Sequence, residues 1–223
     1  MHVGNQAPHP LRTALAGRLQ LSESQITVVS PDVGGGFGQK IALLREELVT
    51  AALARRLGRT VHWREDRLEN LMASLHAREE TVTVRAAIDA EGRILGLQAS
   101  IEADMGAYCF FPANYMMRVV GMILPGPYRL KDYAFDLVVH LTNKAPAGPM
   151  RAPMAITSWV IEGTMDAIAR ALGADPVEIR RRNLLADDDL PYVTATGERY
   201  HSISPRATME AALAGLDYAG FRG

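Results

Sequence analysis

The chain has 223 residues, of which 48% are hydrophobic and 22% charged, with a formal net charge of −1 and one cysteine. That length suggests one or two domains and the composition is that of an ordinary soluble globular protein. A charge near zero gives no electrostatic case for nucleic acid or an anionic membrane surface, and a lone cysteine excludes an internal disulfide or an iron–sulfur cluster built from this chain alone.

No run of about 18 apolar residues is present, so no membrane span is expected. The first residues lack a basic stretch followed by an apolar core, so no secretory signal is read and a reducing cytoplasm is the expected setting. In chain order, Ile26-Thr27-Val28-Val29 predicts a short strand leading into a glycine-rich stretch. Leu43 to Leu57 predicts a helix that stops before Gly58, with Arg55 and Arg56 in its last turn. Its Glu46-Glu47 pair reads as a solvated face. Thr81 to Asp89 and Leu95 to Ala103 alternate apolar and polar residues around an Ala90-Glu91-Gly92-Arg93 turn, which predicts an antiparallel hairpin. Cys109 reads as a small apolar packer.

Tyr133 to Leu141 gives a third alternating strand, and the apolar positions from Ile156 to Leu172 follow helical spacing. Asp175-Pro176-Val177-Glu178 supplies a cap, a proline at the first helical position and a glutamate at the third. Arg180-Arg181-Arg182 then reads as a last turn favoured by the helix dipole. Residues 187–201, opening on Asp187-Asp188-Asp189, read as a polar loop, and Ser204-Pro205 repeats the cap-plus-proline signal for a helix to Leu216. The fold class expected is α+β, with mixed or antiparallel sheets and packed helices.

The stretch from Pro31 to Lys40 carries four glycines in the five positions 34–38, with Phe37 among them. Glycine lacks Cβ and permits positive φ, so backbone N–H groups there can approach a ligand closely. If the following helix begins near Ile41, its first amides also favour negative charge. The loop is then either a cradle for an anionic or oxo-rich cofactor or a plain strand-to-helix turn. Neither the P-loop spacing nor the Gly-x-Gly-x-x-Gly dinucleotide spacing is present. The 6 histidines form no His-Glu-x-x-His set, and no Gly-x-Ser-x-Gly elbow occurs.

Gly34-Gly35-Gly36-Phe37-Gly38-x-Lys40 resembles the first cofactor-binding signature of the xanthine dehydrogenase/aldehyde oxidase family of molybdenum hydroxylases, and of the carbon monoxide dehydrogenase large chain within it. Further stretches match in order: Asn5-Gln6-Ala7-Pro8-His9, Trp63 to Glu69, His76-Ala77-Arg78, Gly106-Ala107-Tyr108, Gly126-Pro127-Tyr128, Thr142-Asn143 and Ala174 to Asn183. The resemblance implies a first molybdopterin-binding domain type and oxidative hydroxylation of an aldehyde or N-heterocycle with oxygen derived from water. It implies molybdopterin with molybdenum, as the cytosine dinucleotide, with no metal held by protein ligands.

Two residues take catalytic roles by the same resemblance: Gln6, whose amide reaches an oxygen on the metal, and Arg151, at the pterin and substrate side. Gly35, Gly36, Phe37, Gly38, Met150 and Ala152 fall on the cofactor-binding positions, and Arg118 and Ile41 on substrate positions. Ile41 stands where purine-oxidising members carry a carboxylate, which argues against a xanthine-type substrate. Ala152 stands where the carbon monoxide dehydrogenases carry a copper-binding cysteine, which argues against that reaction.

The family's molybdenum-binding chain is much longer, and residues 1–223 resemble its middle portion. The expectation is a partial cofactor-binding region without the second cofactor-binding domain: a fragment, a split subunit or a mis-started gene product, not active alone. Its implied partners are an iron–sulfur small chain carrying 2Fe-2S, an FAD-binding medium chain and a chain with the second cofactor-binding domain and catalytic glutamate, assembled as a dimer of heteromers. An inactive orphan domain serving folding or assembly is the alternative, and a small nucleotide-binding domain is a third reading.

Overall fold

The computed structural model describes residues 1–109 and 113–222. The chain forms two compact units, each built from several segments. The first comprises Met1–Arg78, Asp104–Tyr115 and His140–Pro153, and the second Glu79–Ala103, Met116–Val139 and Met154–Gly223.

The first unit opens with helix α1, Pro8–Leu19, absent from the sequence reading. Pro8 and Pro10 look like breakers, but both sit in the first turn, where no intrahelical N–H donor is needed. Leu11 and Leu15, one turn apart, bury its inner face, and Gln20 ends it in a left-handed conformation. The expected strand at Ile26–Val29 is only an isolated bridge between His2 and Val29. Helix α2 spans Arg45–Leu57 and ends on left-handed Gly58, so it starts four residues later than the glycine loop would need to point at its amides. Glu47 is buried rather than solvated; it accepts the Leu44 N–H at 2.9 Å, and burial pushes its carboxyl up. Helix α3, Arg67–Ala73, is closed by a reciprocal cap in which Asp66 accepts from Glu69 N–H at 2.8 Å and Glu69 accepts from Asp66 N–H at 2.9 Å. The Glu65-to-Glu69 motif therefore has a local structural reason. Cys109 is exposed, not packed.

The second unit carries strands β1, Glu80–Ile88, and β2, Ile94–Asp104, paired antiparallel with a bulge at Ala87/Ile88. Helix α4 spans Ala113–Ile123 and strand β3 Asp132–His140, giving the sheet order β1-β2-β3. Helices α5, Ala155–Leu172, and α6, Pro176–Asn183, pack together. The expected hairpin, third strand and two helices are present within a residue or two of their predicted ends. The core joins Leu97 and Ala99 of β2 to Val160, Ile161, Met165 and Ile168 of α5 and Ile179 of α6. Asn183 ties α6 to the β1–β2 turn: its amide donates to Gly92 O and Ile179 O at 2.9 Å, and its oxygen accepts from Ile94 N–H at 2.8 Å.

Asp175 caps α6 by accepting from Val177 N–H at 2.7 Å, as expected. The arginines that follow are paired rather than left to the helix dipole. Arg180 contacts Glu162 at 2.7 Å and Asp166 at 2.8 Å, and Arg181 contacts Glu210 at 2.6 Å. The expected polar loop contains a two-stranded ribbon, β4 (Tyr192–Val193) with β5 (Arg199–Tyr200), and Asp189 within it pairs with Arg129 at 2.5 Å. Helix α7, Pro205–Gly215, begins at Pro205, but the Ser204 side chain makes no capping bond. Helix α8 spans Tyr218–Arg222. Among the described residues, no helix is long and apolar enough to cross a membrane. The fold class is α+β with small sheets, as predicted.

Candidate functional site

The site is assembled within the first unit from four segments. The first is the start of the chain. Asn5 is almost fully buried; its backbone and side chain bond Ser30, Ala42 and the Ala7 N–H, and Gln6 N–H donates to Lys40 O at 2.7 Å. Gln6 is thereby laid against the glycine loop.

Gly34, Gly35 and Gly38 adopt φ of +69°, +112° and +91°, and Phe37, a non-glycine residue, +53°. A Cβ on Gly36 would stand 2.3 Å from Gln6 Oε1, and one on Gly38 would stand 2.5 Å from Pro149 Cβ. Close approach thus disfavours a side chain at both positions, and at Gly38 the positive φ disfavours one as well. The Gly38 N–H donates to Gln6 Oε1 at 2.9 Å. A backbone amide can only donate, so the carbonyl end of Gln6 is committed to the loop and its NH2 end is the one left to donate. Among the described residues, no acceptor is paired with the N–H groups of Gly35, Gly36 or Phe37.

The third and fourth segments are 75–78 and 146–153. His76 N–H donates to Pro146 O at 3.1 Å and Gly148 N–H to His76 O at 2.8 Å; a Cβ on Gly148 would collide with Leu75. Gln39 ties the loop to this pair by donating to Leu75 O at 2.9 Å. Arg151 N–H donates to Phe37 O at 2.6 Å, and its guanidinium stands 5.8 Å from the Phe37 ring centroid. Arg151 (φ +61°) and Arg78 (φ +69°) share the left-handed conformation with Phe37. Three such residues at one site each cost about 1 kcal/mol or more, a strain retained only where surrounding contacts fix it.

The structure therefore brings together Gln6, Gly35, Gly36, Phe37, Gly38, Met150, Arg151 and Ala152. Ile41 is exposed in the bend after Lys40, near a cleft of about 200 Å³ lined by Lys40, Arg45, Glu65 and Tyr108. Arg118 belongs to α4 of the second unit, and none of the hydrogen bonds that build this site involves it. Sequence reasoning gave no role to Asn5, Arg78 or Pro149. Arg78 lay in a matched stretch, but spacing carries no sign of which backbone a guanidinium reaches.

An exposed amide NH2, N–H groups without protein acceptors and a guanidinium make a donor-rich surface suited to an oxo- or phosphate-bearing group. A model of the molybdopterin cofactor-binding domain matches residues 1–184. The chain belongs to that family. This molybdopterin-binding chain is 32% identical to the carbon monoxide dehydrogenase large chain of Hydrogenophaga pseudoflava, over 99% of its own length and 28% of the relative's. It is 35% identical to the nicotine 6-hydroxylase large subunit of Paenarthrobacter nicotinovorans, over 98% of its length and 27% of the relative's. Its fold superposes on the crystal structure of quinoline 2-oxidoreductase from Pseudomonas putida 86 with a TM-score of 0.95 at 33% identity, covering 99% of this chain and 28% of that one. The molybdopterin-binding chain thus spans little more than a quarter of the relatives it matches. The predicted family is shown, and the nucleotide-binding reading is set aside.

Proposed function

We propose that this chain is the cofactor-binding part of a molybdenum hydroxylase that oxidises a carbon of an aldehyde or N-heterocycle with oxygen from water. The observation that carries the reading is the capture of Gln6 Oε1 by Gly38 N–H. It turns an uncharged donor outward from a loop in which, among the described residues, the N–H groups of Gly35, Gly36 and Phe37 have no protein acceptor. The relatives named for nicotine and quinoline chemistry support an N-heterocycle.

The bound molybdopterin group would supply the redox chemistry, accepting two electrons from the carbon. The chain's residues bind and orient. Gln6 donates its amide hydrogen bond to an oxygen of the group, and the N–H groups of Gly35, Gly36 and Phe37 line the same wall. Arg151 offers a charged, forked donor to anionic or carbonyl oxygens, flanked by Met150 and Ala152. Ala152 has no thiol for a copper ion, so carbon monoxide is not the substrate we assign. Isoleucine at 41 offers a purine ring no hydrogen bond. Arg118 is proposed to orient substrate. The cytosine dinucleotide form, the catalytic glutamate of a second cofactor-binding domain, and iron–sulfur and FAD partner chains complete the assembly. The relatives named as large chain and large subunit support that division of labour, which disfavours an inactive assembly module.

The test is elemental molybdenum and released pterin on protein co-expressed with its genomic neighbours. One of each per chain is expected; a folded complex lacking both, from a host that assembles the cofactor, would sink the reading. In the loaded enzyme, Gln6→Glu keeps an acceptor for Gly38 but removes the donor. A fall in kcat of about a hundredfold is expected, the scale for losing one preorganised donor; unchanged turnover would remove Gln6 from the mechanism.

A further inference from the structure

Arg78 has no place in the assignments above, yet its contacts converge on the residue that does. One nitrogen of its guanidinium, Nη2, donates to Met150 O at 2.9 Å and to Ala152 O at 3.1 Å. Those carbonyls flank Arg151 on both sides. We propose that Arg78 is the positioning residue that holds Arg151 in its left-handed turn over Phe37, an inference that rests on the proposed role of Arg151.

The physical argument has three parts. A non-glycine residue at φ +61° reverts to an ordinary conformation unless its neighbours over-determine it. The backbone bond from Arg151 to Phe37 O fixes one side of the turn. The two hydrogens of Arg78 Nη2 fix the other, giving a cation to two carbonyls that both lie next to residue 151. Arg78 itself is anchored by its own segment, where His76 pairs with residues 146–148 and Leu75 packs on Gly148. The strain at 78 and the strain at 151 are thus two ends of one clamp. A lysine would keep the charge but not the planar fork.

The clamp is read without reference to turnover by hydrogen exchange at the Arg151 amide, in protein purified from its own host with whatever chains accompany it. Arg78→Ala should speed exchange there at least tenfold while the amides of α1 stay unchanged, and Arg78→Lys should fall between. Millimolar guanidinium ion should slow exchange again in Arg78→Ala and leave wild type alone. Leu15→Ala, which destabilises α1 instead, is the control. If it speeds exchange at Arg151 equally for the same fall in Tm, the effect is general loosening and the proposal fails. It also fails if Arg78→Ala leaves that amide as slow as wild type. In loaded protein, pterin release should quicken in Arg78→Ala and in Arg151→Ala, with the double variant no faster than Arg151→Ala alone; multiplied effects would mean that Arg78 does not act through Arg151. Wild-type protein without pterin would overturn the functional reading, while the exchange result would still decide the clamp.

Discussion

The two units are stabilised in different ways. The second has a continuous apolar core from β2, α5 and α6, built from regular elements whose side chains repeat at the strand or helix period. Among the described residues, the first holds four of the five non-glycine residues with positive φ: Gln20, Phe37, Arg78 and Arg151, against Asp217 in the second. Its loops are fixed by single hydrogen bonds between segments far apart in sequence, such as Gly38 to Gln6 and Arg78 to Met150. Periodic burial makes a scaffold tolerant of conservative change. A loop site held by individual backbone contacts has no such redundancy, and that is where the donors gather.

Substitutions should separate these two kinds of stability. The largest effect on folding is expected from Met165→Ala at the fully buried centre of the second unit, about 2–5 kcal/mol by denaturant titration. Pterin per folded molecule should stay the same, and a proportional loss would show the units to be one energetic body. Gly38→Ala should cost less stability, about 1–3 kcal/mol, because its Cβ meets Pro149 at 2.5 Å and its φ is +91°. Its pterin content should nonetheless drop at least tenfold; retained pterin would mean that the loop is more forgiving than its contacts suggest.

The smallest effect is electrostatic. The Gly106 N–H, the Thr142 hydroxyl and the Lys144 ammonium hold the Asp104 carboxyl down at about 2, against an ordinary 3.8. A depressed carboxyl stabilises the fold above its unfolded value and loses that contribution as pH falls through the folded one. Asp104→Asn should therefore lower Tm near pH 6, with the gap to wild type closing between pH 4 and 2. A gap that persists at pH 2 would assign the effect to packing rather than charge.

The same contrast explains what was legible in the sequence. The alternation of Val82, Val84 and Leu97, Ala99, Ile101, and the helical spacing through Val160, Met165 and Ile168, exposed the second unit's elements because each buries one face. Asp175-Pro176 marked a helix start that the structure keeps. In the first unit, α1 was hidden by Pro8 and Pro10, and Ile26–Val29 looked like a strand although only one bridge forms. The glycine loop was legible as a place of close backbone approach because glycine at 36 and 38 answers a steric demand from Gln6 and Pro149. Arg78 and the burial of Asn5 and Glu47 were not, since each depends on a tertiary partner that no local pattern specifies.

The segments of the two units alternate along the chain, which passes from one to the other at 78/79, 103/104, 115/116, 139/140 and 153/154. This interleaving limits how the protein can be recombined. A single crossover with a homologous chain anywhere between residues 79 and 146 would divide both units at once, pairing one parent's glycine loop with the other parent's 146–153 segment. Moving the first unit into a relative would mean exchanging its three separate stretches together, and keeping Arg78 from the same parent as the carbonyls it holds.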